Sequence, residues 1–334
     1  MDLNTQPSKN KNKSSIGIIS VILIVVIFTV CSFGVGYNIG TLKKQSKLEQ
    51  ENTLLKEKLN EETKAIEKQK EILEENKENL KKLGDEFVSI SKTKHPECEW
   101  SILIKDLDTQ NEYVYNNKKM NSASLIKLFM MEAVLKTVQN ETFHLTDEYK
   151  LNLEKMITES NNDSANLFID AYDGYNAEKR KVTENHTINK IINDSGYKYT
   201  ELNRKMHNST PPGGPTGYQN YTSVQDVSKL LEGIYKGTIL NEENTKLYLS
   251  FLKNQQRKNK IPNKINKEYP DIVVANKTGE LSNVENDAAL IFGDDFNVIF
   301  VVMTENKSSD MSEKEKIQNT ISDLALKLVE FYQK

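Results

Sequence analysis

Polar and apolar positions divide this chain into three unlike stretches. Residues 16 to 39, IGIISVILIVVIFTVCSFGVGYNI, carry no charged side chain. A run of roughly twenty apolar residues is enough to cross a hydrocarbon core as a helix. Lys9, Lys11 and Lys13 precede the run with no acidic residue between them and the span. That asymmetry keeps residues 1–15 cytoplasmic and sends everything after residue 40 across the membrane. The run is longer than the apolar core of a cleaved signal, and no small-x-small site follows it. Val30 stands before Cys31 where a lipoprotein signal wants a small side chain. An uncleaved single-pass anchor over 16–39, with the rest of the chain extracellular, is the expectation.

Residues 40–92 read as a charged helical stalk. From 42 to 83 the composition is Lys, Glu, Gln, Asn and Leu, with no Pro and no Gly before Gly84, which predicts a helix that stops there. Leu59, Ile66, Leu73 and Leu80 recur every seven residues, as one position of a heptad would. The positions three before them are Lys56, Thr63, Lys70 and Lys77, a poor second half for a seam. A loosely paired helix, with weak self-association, and a flexible charged linker both fit. A helix rising about 1.5 Å per residue would make a spacer of about 60 Å.

Residues 93–334 have the mixed periods of a globular domain. Glu99 to Leu107 and Glu112 to Tyr115 predict two strands around a polar turn. Ala123 to Val138 predicts a long apolar helix, followed by helices over Tyr149–Glu159 and Asp163–Tyr172. After the loop PPGGPTG, Pro211 to Gly217, helices are predicted over Ser223–Tyr235 and Asn241–Leu252. Strands over Ile272–Lys277, Ala288–Phe292 and Val298–Thr304 and an amphipathic helix over Ser312–Tyr332 close the chain. Two strands, then helices, then three strands and a helix make an α+β fold with a five-stranded antiparallel sheet.

Net charge is −3, with no basic footprint for nucleic acid, and nucleic-acid binding is not expected. Of the two cysteines, Cys31 lies in the apolar run and Cys98 in the domain, so no disulfide framework is expected. Cys98 reads as a buried, inert thiol. The four histidines show no ligand spacing, and neither a metal nor an organic cofactor is expected.

Three strings remain: Ser124-Leu125-Ile126-Lys127, Ser160-Asn161-Asn162 and Lys277-Thr278-Gly279. As S-x-x-K, S-x-N and K-T-G in this order, over about residues 97 to 334, they resemble the class A β-lactamase and penicillin-binding protein family of serine hydrolases. Met156-Ile157-Thr158 before the second string and Ala165-Asn166 after it resemble the family's flanks. The resemblance implies a transpeptidase-like fold and an acyl-enzyme formed on β-lactams or D-alanyl cell-wall peptides.

Ser124 and Lys127, three apart on one helix, face the same side. Ser124 is the candidate nucleophile and Lys127 its base, provided that burial and a nearby cation, Lys277, lower the amine's pKa. The apolar neighbours Leu125, Ile126, Leu128, Phe129 and Met130 favour burial. Ser160 is expected to pass the proton to the leaving nitrogen, and Asn162 to hold the substrate amide and orient the lysine. Lys277 and Thr278 offer a cation and a hydroxyl to a substrate carboxylate. Gly279 is expected to let the strand approach the substrate closely. The backbone N–H groups of Ser124 and Glu280 would form the oxyanion hole.

One part of the family pattern is missing. The resemblance implies a glutamate, on the loop after the middle helices, that activates the deacylating water. Matching Arg204 to the family's arginine puts Met206 at that position; sliding the match puts Tyr199 there. Neither is a base. The interval from Ser124 to Ser160 is also shorter than in those lactamases, which implies a more open cleft. Acylation should survive these losses and efficient hydrolysis should not. A β-lactam or wall-fragment sensor that is acylated without turnover is the rival expectation, and a structural wall-spacing protein with a retired site is the least favoured.

Overall fold

The computed structural model describes residues 41–178, 181–206, 219–307 and 310–333. The expected anchor over 16–39 and the loop 211–217 lie outside the described residues. Among the described residues no helix is long and apolar enough to cross a membrane. The chain divides into two units, residues 1–69 and 70–334. Of the first, the description covers the start of helix α1, Thr41–Lys94.

Within the second unit α1 does not stop at Gly84. It continues to Lys94, and Leu80, Leu83 and Phe87 are buried. A tertiary contact explains the glycine: a Cβ there would come within 2.3 Å of the Tyr113 ring. Phe87 meets Phe300 edge to face at 5.8 Å. The end of the expected spacer is therefore core.

Strands β1 (Cys98–Asp106) and β2 (Glu112–Tyr115) pair as predicted. After the short β3 (Met120–Asn121) come a 3₁₀ turn, Ala123–Leu125, and helix α2, Ile126–Gln139. Helices α3 (Asp147–Thr158) and α4 (Asn162–Asp170) match the next two expectations closely. Short strands β4 (Tyr175–Asn176) and β5 (Lys181–Val182) lead to α5, Thr187–Asp194, which the sequence reading missed. Its cap is the ring of His186, whose Nδ1 accepts Ile188 N–H at 3.2 Å. Histidine is not a residue that signals a helix start.

The short β6 (Tyr221–Thr222) precedes α6 (Val224–Tyr235) and α7 (Glu242–Lys253). A second unforeseen helix, α8 (Ile261–Glu268), begins with proline in its first turn. Strands β7 (Val273–Leu281), β8 (Val284–Phe292) and β9 (Asn297–Asn306) lead to α9, Met311–Tyr332. The sheet is antiparallel in the order β2-β1-β9-β8-β7, so the first two strands and the last three do join.

Both faces of this sheet are covered. Successive side chains on a strand point to opposite faces. On β9, Ile299, Val301 and Met303 join the cluster built around α2, while Val298, Phe300 and Val302 join the one under α9, α8 and the end of α1. Helix α2 is buried nearly all round, as a helix inside a core must be. Cys98 is buried in β1, and burial pushes its thiol up to about 12, so it is inert as expected.

Candidate active site

The first string does not lie wholly on a helix. Ser124 sits in the 3₁₀ turn, and Lys127 in the first turn of α2. Ala123 just before the serine has φ +44°, a left-handed conformation that costs a non-glycine residue about 1–3 kcal/mol and persists only where the surroundings enforce it. The enforcement is visible. Asn121 Oδ1 accepts Ala123 N–H at 3.2 Å, and Asn286 Nδ2, fully buried on β8, donates to Asn121 O at 2.9 Å.

Gly279 completes this seat. A Cβ on it would lie 2.8 Å from Ser122 O and 3.3 Å from the Ala123 Cβ. Here the glycine admits the turn that carries Ser124 close against β7. The K-T-G string also lies inside β7 and not at a strand end, because the strand continues to Leu281.

Lys127 is fully buried. Its Nζ donates to Ser160 O and to Asn162 Oδ1, each at 2.7 Å, and contacts Ser160 Oγ at 3.4 Å. Ser124 Oγ is not among these partners. Burial lowers the Lys127 pKa to about 7, and the positive charge of Arg257 adds to this. The expected like charge, Lys277, is itself fully buried. Burial first, then Lys127 and Arg257, push it well below the usual lysine range, with Asp287 opposing.

Ser160 joins the two lysines. Its Oγ takes a 2.9 Å hydrogen bond from Lys277 Nζ, which also donates to Thr278 O at 2.8 Å. Ser160 has φ +59°, a second left-handed residue at this site. Asn161 caps α4, accepting Ser164 N–H at 2.9 Å. The middle residue of the second string is thus a helix cap, a task Asn and Asp perform alike. Its neighbours Ser160 and Asn162 turn to the lysines.

One cavity is lined by Ser124, Asn162, Arg204, Met206, Glu280 and their neighbours. Ser124 and Glu280 share it, as an oxyanion hole built from their N–H groups requires. Thr278 is buried. The two candidate positions after the middle helices lie in different surroundings. Asn166 binds the backbone of Met206, and Met206 lines the cavity, whereas Tyr199 N–H is held 2.7 Å from Asp226 Oδ2. Of the two candidate positions, Met206 is the one on the cavity wall. The following segment 207–218 contains no Asp or Glu.

Two contributors were missed in the sequence. Arg257, in the polar run NQQRKNK, donates from Nε to Glu159 O at 3.3 Å and from Nη1 to Glu280 Oε2 at 3.1 Å. Asn286 anchors the serine turn. Neither carried a local signal, since both roles depend on partners far along the chain. Among the described residues no group of three His, Cys, Asp or Glu side chains is arranged to hold a metal ion.

A model of the β-lactamase enzyme family matches residues 79–155 and 151–332. Among solved structures, the β-lactamase from Sphaerobacter thermophilus is similar with a TM-score of 0.61 and 21% identity, over 72% of this chain and 96% of that one. A class A β-lactamase of the last common ancestor of Gram-negative bacteria gives 0.61 at 18% identity, over 75% of this chain and 99% of that one. These likenesses establish the fold. No curated protein matches the chain.

Proposed function

Because the chain belongs to the β-lactamase enzyme family, we propose that it is a serine hydrolase that opens an amide by forming an acyl-enzyme on Ser124. β-Lactams or D-alanyl cell-wall peptides are the substrate class. The observation that carries this reading is the shared hydroxyl of Ser160, bonded to Lys277 and in contact with Lys127 beside the cavity that holds Ser124.

Lys127, as the free amine, takes the Ser124 proton while Oγ forms a bond to the carbonyl carbon. The negative charge that develops on the carbonyl oxygen is met by the N–H groups of Ser124 and Glu280. As the C–N bond breaks, Ser160 gives its proton to the leaving nitrogen and regains one from Lys127. Asn162 holds the amine in place through its Oδ1. Intact-mass detection of a penicillin adduct on the full chain tests this: the adduct is expected on the wild type and absent from Ser124→Ala. No adduct on the wild type would overturn the reading.

Met206 favours a second reading, a trap or sensor for the same ligands that is acylated without turnover. The lifetime of the adduct separates the two: seconds for a hydrolase, hours for a trap. In either case we propose that residues 16–39 tether the protein to the cell membrane with the domain outside.

A further inference from the structure

The side chain of Glu280 has no part in the mechanism above, which uses only its N–H. We propose that this carboxylate is a specificity gate: it occupies Arg257 at the β7 edge and competes with a substrate carboxylate, so that acyl donors uncharged at that end are preferred. The proposal rests on acyl transfer at Ser124 and names the substrate class for it.

The placement follows from the strand. Glu280 immediately follows the K-T-G string, and residues two apart on a strand share a face about 7 Å apart. Thr278, the hydroxyl expected to meet a substrate carboxylate, and Glu280 therefore look the same way. Glu280 lines the cavity with Ser124. The carboxylate itself is held by Arg257 and Lys260, so a negative substrate group that approaches Arg257 meets a fixed negative charge.

The surrounding basic side chains are already engaged. Lys260 is fully buried; its Nζ lies 3.0 Å from Glu280 Oε1 and 2.9 Å from Glu285 Oε2, and donates to Asn286 O at 3.1 Å. Lys277 is fully buried and bonded to Ser160 and Thr278. Of these three basic side chains at the β7 edge, Arg257 is the one with an exposed side chain, at 47%. It is also the one that bridges both walls of the site, through Glu159 O and Glu280 Oε2. Its charge reaches both Lys127 and Lys277. Burial works against the Glu280 carboxylate, but Lys260 and Arg257 hold it ionised, below the usual range. A carboxylate arriving from solvent finds Arg257 neutralised and must displace Glu280 or bind beside it. Like charges placed together in this way select against a ligand.

The test compares benzylpenicillin with its methyl ester on the full chain, reading the ratio of labelling rates, acid over ester. The ratio cancels any change in the Glu280 N–H, which both probes use. Glu280→Gln should raise it about tenfold. Arg257→Gln, which leaves the carboxylate and removes its exposed partner, should lower it about tenfold. An unchanged ratio in either folded variant overturns the gate while leaving acylation intact. If neither probe labels the wild type, the acyl-enzyme reading falls. Ligand-observed NMR of the two probes then measures the same ratio as affinities: a tenfold shift in Glu280→Gln supports the gate, and no shift or no binding overturns it.

Discussion

Asn166 holds Met206 by both backbone polar groups of that residue: Oδ1 accepts Met206 N–H at 2.8 Å, and Nδ2 donates to Met206 O at 3.1 Å. The grip fixes position 206 on the wall of the cavity that contains Ser124. A thioether there neither accepts a proton nor orders a water for attack on an ester.

Met206→Glu should therefore supply the missing base. A positioned general base contributes about 10²–10⁴-fold, so the adduct lifetime should fall at least about a hundredfold. A time course of intact mass after removal of excess penicillin measures this. An unaltered lifetime would show that water does not reach the ester from this side.

The Lys127 pKa of about 7 predicts the pH profile. The free amine is the reactive form, so the labelling rate at low probe concentration should rise about tenfold from pH 6 to pH 8. A flat profile would remove Lys127 as the base. The same shift has a stability consequence. Between about 7 and 10.5 the unfolded chain binds the proton that the folded chain lacks, so the contribution of this group to stability rises with pH across that window. Lys127→Met should flatten that rise in denaturant midpoints.

Gly279→Ala drives a methyl group into Ser122 O, which is backbone and cannot swing aside. Overpacking of this kind costs about 1–3 kcal/mol, and here the atoms displaced carry the nucleophile. Labelling should slow by about a hundredfold, more than the stability loss alone explains. Equal labelling by a folded variant would show that the close approach of β7 to the serine turn is not needed.

Phe87→Ala tests whether the end of α1 is part of the fold. The ring is fully buried against Phe300, and removing such a ring costs about 3–5 kcal/mol. Thermal and urea unfolding should both show it. A loss below about 1 kcal/mol would make this stretch an appended spacer.

Much of the domain was legible because its signals are local. The alternation of β1 and the apolar run of α2 name their own elements, and the order of elements names the sheet. The three strings marked the candidate groups because their residue types and their order along the chain are themselves the signal. Helix α5 was invisible because its cap is His186, and the continuation of α1 because Gly84 looks like a stop until Tyr113 is seen lying on it.

The order of residues by itself named the candidate groups: a serine three before a lysine, a second serine, and a lysine on a strand. Tertiary structure alone decided their state. Lys127 is lowered because the core closes over it and Arg257 adds its charge from a distant loop, and Glu280 lines the cavity with Ser124 although the two are far apart in the chain. Spacing along a chain fixes the face on which a side chain lies, whereas burial and Coulomb interactions depend on which distant segments close over it.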